Sequence, residues 1–445
     1  MTNRREFIKK TTLGVAGLYM GEKAMAMGKT RKTNQSGNET INLAVIGLNS
    51  RGYAHADSVV SLPEFKITHI CDVDAKIMDR FKAYCKKNLG YEPATEKDFR
   101  KLLENKDIDA ITIATPEHWH APMAIMALQA GKHVYIEKPC SHNLYENELL
   151  IAAQKKYGKL VQMGNQQRSS ITSALAIKEI SEGIIGNVYF AKAWYANSRK
   201  TIGTGKKIAV PEGLDWDLWQ GPAPREDYRD NVHPYNWHWF KTWGTGELHN
   251  NGTHEIDICR WALGVKYPTR VTSTGGRYFT KDDWQFFDTQ NVTFEFGTDK
   301  MIVWEGLSCN GIGQFNRGRG SLIQGTRGTI LLDRDGYWLY DLNGKLIKEE
   351  KEQAKGSTQT SDTKGFDMLT VAHFRNFANA IRKNEKLNAP IDDASVATHL
   401  CHLGNIAQFE NKDFLVDEQT GKLLDQTVYE KYAKRKYQPG WEPNL

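Results

Sequence analysis

Ile41-Asn42-Leu43-Ala44-Val45-Ile46-Gly47-Leu48-Asn49-Ser50-Arg51-Gly52 is the most informative stretch of the chain. Ile41, Leu43, Ala44, Val45 and Ile46 form a short apolar run rich in β-branched residues, as a strand buried on both faces requires. The run breaks at Gly47, and from Gly52 to Leu62 the pattern becomes helical. A glycine-bearing turn between strand and helix lets backbone approach a pyrophosphate, whose charge then rests on the helix N-terminus. Asn49 stands where the fingerprint G-x-G-x-x-G has its middle glycine, and asparagine tolerates the left-handed backbone such a turn uses. Asp72 closes the next apolar strand, Lys66 to Cys71. A carboxylate there accepts hydrogen bonds from adenosine ribose hydroxyls and repels a 2′-phosphate, favouring NAD over NADP. By itself the motif also fits an ordinary strand–helix turn that binds nothing.

With 445 residues the chain is long enough for two domains with sizeable cores. Its net charge of +6 is small and forms no basic stripe, so nucleic acid is not an expected partner. The aromatic content of 11% concentrates between Trp194 and Trp243, which suits sugar faces or ordinary core equally well. Six scattered cysteines read as free thiols with no cysteine-built metal site. Arg4-Arg5 precede a modest apolar stretch, Thr12 to Met20, and then Ala24-Met25-Ala26. That order reads as a Tat-type export signal over residues 1–27, with a polar linker at 28–40 and a periplasmic destination; a basic tail is the alternative. The apolar stretch is too short, and too broken by glycine, to span a bilayer.

Strands at 66–71, 108–115, 133–136 and 160–164 alternate with helices at 75–89, 121–130 and 145–157, so residues 41–166 predict a Rossmann-type, doubly wound parallel sheet. Ligands of such sheets bind at the carboxyl ends of the strands. Asp72, Thr115, Glu137-Lys138-Pro139 and Asn165-Gln166 all fall there, and the strand ending at Thr115 runs on into Pro116-Glu117-His118-Trp119-His120. From 167 to 410 the texture changes to period-2 strands with helices between them, an α+β domain built on a largely antiparallel open sheet. A long irregular insertion, 197–240, carries Trp216, Trp219, Tyr235, Trp237 and Trp239; irregular segments of this length are often functional. Residues 411–445 form a polar tail. A helix expected over Glu247 to Leu263 sets Asn250, His254 and Asp257 on one face. His254 there could pass a proton to or from a substrate hydroxyl, or merely pack between the domains.

These motifs together resemble the glucose–fructose oxidoreductase/inositol dehydrogenase/MocA (Gfo/Idh/MocA) family over roughly residues 40 to 410. The resemblance rests on Gly47 to Gly52, on Thr115-Pro116 with His118 and His120, on Glu137-Lys138-Pro139, and on Gly244 to Asp257. It implies an NAD-binding first domain, with Gly47, Asn49, Ser50, Arg51, Gly52, Asp72, Thr115, Pro116, His118, His120, Glu137, Lys138, Asn165 and Gln166 at the cofactor. It implies Lys138 and His254 as catalytic groups, and a second domain whose sheet often builds homo-oligomers. Asn250 stands where the family usually has an aspartate; an amide cannot hold a neighbouring imidazolium by charge, so the proton relay is expected to differ. The insertion, with Trp219, Tyr235 and Trp237 as expected substrate contacts, resembles an exported bacterial subgroup acting mostly on carbohydrates.

The expected function is NAD-dependent oxidation of a secondary hydroxyl on a sugar, glycoside or cyclitol, with the cofactor tightly held. Two alternatives stay open. A glycosidase could use NAD transiently through oxidation, elimination and re-reduction, although NAD-dependent α-N-acetylgalactosaminidases resembling this family generally lack the lysine found here at 138. A non-catalytic carbohydrate-binding protein is the other.

Overall fold

The computed structural model describes residues 40–353 and 367–445. The expected export signal and nearly all of the linker lie outside the described residues. The first sheet has six parallel strands in the order β3-β2-β1-β4-β5-β6. These are β1 (Ile41–Ile46), β2 (Phe65–Cys71), β3 (Ala94–Glu96), β4 (Ala110–Ile113), β5 (His133–Ile136) and β6 (Val161–Met163). Helix α1 (Arg51–Val60) follows β1, and α2 (Ala75–Leu89) follows β2. The Asp74 carboxylate caps α2 by accepting from the backbone N–H of Lys76 and Ile77, and Gly90 ends it in the left-handed region at φ 77°. Leu43, Ala44 and Val45 are fully buried because helices cover both faces of the sheet.

The second sheet has nine strands, β7 (Val188–Ala196) through β14 (Leu346–Lys351) plus β15 (Phe414–Leu415), and every neighbouring pair is antiparallel except β7 with β10 (Lys300–Leu307). Period-2 burial is clear in β9 (Thr289–Phe296), where Gln290, Val292, Phe294 and Phe296 face inward. Helices Thr253–Leu263 and Ile391–Glu410 cover that face, and Ile256, Leu400, Phe294 and Trp304 meet beneath them.

The chain then returns to the first sheet. Helix Met368–Lys383 stacks Phe374 on Tyr135 at 4.1 Å and adds Val371 and Phe377 to the core beside β1. Helix Ile391–Glu410 contributes Ile391 and Ala394 to the first domain's core, and Val396, Leu400 and Leu403 to the second's. The polar tail is not without structure. It forms a helix, Gln426–Ala433, then crosses back so that Trp441 meets Trp119 edge-on at 5.1 Å and Arg435 donates to the His118 carbonyl at 2.6 Å.

The sequence pattern also misses β3, β14 and β15, which are short, half-exposed or heavily charged, and hence carry little hydrophobic period. Most insertion tryptophans are core: Trp216 and Trp219 pack with Tyr228, Phe240 and Trp243, and Trp239 packs with Trp284 and Phe286. The six cysteines are all unpaired thiols. Among the described residues no helix is long and apolar enough to cross a membrane.

Candidate active site

A cleft opens along the carboxyl ends of β1, β2, β4 and β5 and is roofed by the second sheet and the insertion. At one end lies the glycine turn. Gly47 has φ 84°, and a Cβ there would sit 2.6 Å from the Ala114 carbonyl carbon; a Cβ on Gly52 would sit 2.2 Å from the Gly47 carbonyl oxygen. Only glycine permits this approach of strand and helix. The left-handed angle expected at Asn49 falls instead on Ser50, at φ 46°. Asp72 accepts from Leu48 N at 2.8 Å and Asp74 N at 3.0 Å. Burial outweighs these bonds and pushes its carboxyl up to about 6.

The other end gathers the residues that could do chemistry. Lys138, just past β5, donates from Nζ to the Asn250 carbonyl at 2.6 Å and to Asn250 Oδ1 at 3.1 Å. Burial lowers the Lys138 ammonium from its usual value, partly offset by the charges of Glu137 and Glu117. Glu137 itself is committed to Arg51 and His55, each at 2.8 Å. Burial disfavours its charge, but Arg51 and His55 hold it well below the usual carboxylate range. Glu117, on the turn after β4, accepts from Thr245 Oγ1 and lines the same cleft. Its burial raises the carboxyl out of the ordinary carboxylate range, against the Thr245 bond and the Lys138 charge. His254 lines the cleft too; burial and the charges of Lys138, Arg334 and Arg319 push it well below its usual value, so it is a neutral imidazole.

The expected helix at 247 begins differently. Leu248–Gly252 forms a π-helical turn before the α-helix Thr253–Leu263. Such turns insert an extra residue and recur at functional sites. Here the turn presents both the carbonyl and the amide of Asn250 to Lys138. Glu247 steadies it, accepting from Asn250 Nδ2 at 3.4 Å and from Asn251, while Arg199 of the insertion donates to Glu247 at 2.6 Å. Asp257 is not on this face: it pairs with Arg168 at 2.6 Å, 1% exposed.

Tyr235, Trp237 and His238 form an aromatic wall over the cleft, with Trp237 and His238 stacked at 3.6 Å and Tyr235 tilted by 41° against His238 at 4.6 Å. Tyr235 is 39% exposed, and Trp219 reaches the cleft from its own small core.

Most of the residues expected at the site line this cleft: Gly47, Asn49, Ser50, Arg51, Asp72, Thr115, Pro116, His120, Glu137, Lys138, Gln166, Trp219, Tyr235, Trp237, Asn250 and His254. Three do not. Gly52 lies one layer below, serving the close packing described above. His118 is fully buried, with ring nitrogens 3.0 Å from the Trp219 carbonyl and 3.3 Å from that of Trp243; burial lowers it to about 3, and it pins the insertion to the first domain. Asn165 is buried beneath Gln166 and has no side-chain partner. His120 is on the cleft wall, but its ring nitrogens lie 2.8 and 2.6 Å from the Thr115 and Pro139 carbonyls, and the neutral ring donates to one of them. The residues not foreseen are Glu117, inside a motif already singled out, His238, and Arg319 and Arg334 from the second sheet. For the arginines no local signal exists. Among the described residues no cluster of His, Cys, Asp and Glu could hold a metal.

Fold and cleft define a two-domain α/β protein whose first domain has the Rossmann-type, dinucleotide-binding sheet. Two family models match it: an oxidoreductase family with an NAD-binding Rossmann fold over residues 41–165, and a GFO/IDH/MocA C-terminal domain over residues 218–331. Together they span more than half of the chain, which belongs to the Gfo/Idh/MocA family. A glycosyl hydrolase family 109 protein of Saccharopolyspora erythraea is 31% identical over 239 residues, 49% of this chain and 52% of the relative. Levoglucosan dehydrogenase of Pseudarthrobacter phenanthrenivorans is 28% identical over 231 residues, 51% of this chain and 52% of the relative. The chain thus spans about half the length of these curated relatives. Among solved structures, levoglucosan dehydrogenase in complex with NADH and levoglucosan superposes with a TM-score of 0.66 at 19% identity, covering 85% of this chain and 100% of that one. Aldose–aldose oxidoreductase from Caulobacter crescentus gives 0.63 at 16% identity, with 85% and 100% covered. At these identities the likeness concerns the fold.

Proposed function

We propose that this protein is an NAD-dependent oxidoreductase acting on a secondary hydroxyl of a sugar, glycoside or cyclitol. The observation that carries this reading is Lys138, clamped by both oxygens of Asn250 in a cleft that also holds the Asp72 carboxylate. The cleft fits the dinucleotide on structural grounds. A Gly47 that no other residue could replace leaves bare backbone before α1, the Asp72 carboxylate opens on the same space, and Thr115 Oγ1 has no partner. The turn at Asn49, Ser50 and Arg51 would hold the pyrophosphate, and Asp72 the ribose.

When bound, NAD supplies a hydride acceptor. The chain's own groups supply the rest. Lys138 has three N–H donors and spends two on Asn250, leaving one for the substrate hydroxyl oxygen. Its charge stabilises the alkoxide that develops as the hydroxyl loses its proton. Neutral His254 accepts a hydrogen bond from that hydroxyl and orients it. An imidazole pushed so far down holds a proton poorly. Glu117, raised toward the working pH, is better matched to receive it. The wall of Tyr235, Trp237 and His238 suits the apolar face of a sugar ring and excludes water.

The test can begin before the sugar is identified. Nucleotide released on denaturing the purified protein is identified by absorbance and mass, and the native protein is then assayed against a sugar and glycoside panel at the NADH band. Absence of both nucleotide binding and NADH formation would sink the reading. The identity with a glycosyl hydrolase family 109 protein favours one second reading, transient oxidation with elimination of the aglycone. Chromogenic glycosides separate the two, since that reaction releases aglycone with no net NADH.

We also propose that residues 1–27 direct export in the folded state, as in the exported bacterial subgroup. In the periplasm no supply of free NAD can be assumed, so the cofactor would stay bound through turnover. Mature protein should then carry near-stoichiometric NAD(H) through dialysis, and nucleotide-free protein dependent on added NAD would refute this. Copies of the chain are proposed to associate through the nine-stranded sheet; a monomer in light scattering would exclude it.

A further inference from the structure

Arg334 occupies the tight turn between β12 (Gly328–Leu332) and β13 (Gly336–Tyr340), where Asp333 N donates to the Gly336 carbonyl at 3.0 Å and Asp335 N to Asp333 Oδ1 at 2.7 Å. The turn directs its side chain into the cleft that Lys138 and His254 line. Its Nε is buried and makes no hydrogen bond, and among the described residues no carboxylate forms an ion pair with its guanidinium. Beside it, Arg319 donates from Nε to Glu255 at 2.6 Å, yet its Nη1 is buried without a partner.

Among the described residues the charges around it do not close. Arg51 is answered by Glu137, and Arg319 by Glu255. Arg334 feels Asp367 and Glu255 only from beyond ion-pair range, and its burial beside Arg319 lowers the guanidinium to about 10, still charged at any working pH. A desolvated guanidinium is costly unless paired, and its planar fork matches the two oxygens of a carboxylate or the edge of a sulfate or phosphate ester. Its field reaches His254, placing the unanswered charge at the reacting end of the cleft.

We propose that the substrate is an acidic carbohydrate whose anionic group is gripped by Arg334, with Arg319 alongside. This specifies the substrate class of the proposed sugar oxidoreductase and rests on that reading, but its test is binding rather than turnover. The other anion within reach is the pyrophosphate of the cofactor, and the experiment separates the two.

The NAD-loaded protein is titrated calorimetrically with D-glucuronate and D-galacturonate, and with D-glucose and D-galactose as neutral controls. The same titrations follow for Arg334→Gln and Arg334→Lys, and NAD binding is measured on nucleotide-free protein of all three. The expected result is preference for a uronate over its neutral parent. Arg334→Gln should weaken uronate binding roughly tenfold to hundredfold, the worth of one hydrogen bond to a charged group. Arg334→Lys should recover part of it, and NAD affinity should hold in every variant, which also certifies their folding. Equal binding of acidic and neutral sugars by the unaltered protein overturns the proposal. So does an Arg334→Gln variant that loses NAD affinity while keeping its sugar preference, because the arginine then serves the pyrophosphate. A protein that binds uronates through Arg334 but never forms NADH would retract the oxidoreductase reading and leave this site standing.

Discussion

Replacing Asp72 by alanine should weaken NAD binding and narrow the discrimination against NADP. The carboxylate is held open toward the cleft by the N–H groups of Leu48 and Asp74, at 2.8 and 3.0 Å. A ribose hydroxyl bonded to a charged acceptor is worth about 1.5–3 kcal/mol, so losing one such bond weakens NAD roughly tenfold to hundredfold. A 2′-phosphate near the same carboxylate meets a like charge. At about 4 Å and an effective dielectric near 20 that repulsion is about 4 kcal/mol per unit charge, less in the open cleft, and the variant removes it. The selectivity ratio therefore falls from both sides.

The pH dependence has a definite sign. Burial pushes the Asp72 carboxyl up from 3.8 to about 6 in the free protein. Ribose hydroxyls donate to the ionised form, so binding expels the proton. NAD affinity should rise as pH increases through about 6, level off above it, and lose this slope in Asp72→Ala. The apoprotein should show the opposite trend in stability. A carboxyl whose folded value is raised binds extra protons between 3.8 and about 6, so its contribution to stability declines as pH rises through that window. Titration of nucleotide-free protein with NAD and NADP between pH 5 and 8 measures the affinities, and thermal unfolding of the apoprotein between about pH 4 and 7 measures the stability trend. Unchanged NAD affinity and a flat pH profile in both proteins would reduce Asp72 to a strand-end scaffold.

Lys138→Met should lose about 10²–10⁴-fold in turnover while still binding NAD, with a melting temperature unchanged or higher, because a buried cation is exchanged for an apolar side chain of similar length; wild-type turnover on a confirmed substrate would remove Lys138 from the mechanism. His254→Ala should fall in the same range of turnover, mainly in kcat, and a change confined to KM would make it a binding residue only. Glu117→Gln should abolish the acid limb of the pH–rate profile: a raised carboxyl acts as a base only once ionised, so wild-type rate climbs with pH through its raised value. An identical profile in the variant would assign the proton elsewhere. Asp257→Ala should destabilise the protein by about 3–5 kcal/mol, since Arg168 and Arg260 then share only Asp393, which is 45% exposed; a thermal midpoint indistinguishable from wild type would show that the ion network contributes nothing.

The amino-acid sequence by itself determined the glycine turn, the places of Asp72 and Lys138, and the strands and helices of the first domain apart from the short edge strand β3. Each is written in short-range terms: a β-branched run, a glycine where a Cβ would strike the next strand, a charged residue where an apolar run ends. It determined equally that a mostly antiparallel sheet follows, because period-2 alternation is local. Tertiary structure decided which strand-end residues face the cleft. His118 and Lys138 occupy equivalent places in the pattern, yet His118 turns to the Trp219 and Trp243 carbonyls of a segment far along the chain. The π-helical turn was equally hidden: a helical period shows that a helix forms, but its extra residue answers to Lys138, Glu247 and Arg199, brought together only by folding. Arg319 and Arg334 read as ordinary residues at the edges of strands until the second sheet closes over the first domain, burying Arg319 and half-burying Arg334 near His254. Burial and unpaired charge are properties of long-range neighbours, and it is these that move the proton affinities of Glu117, Lys138 and His254 away from their ordinary values.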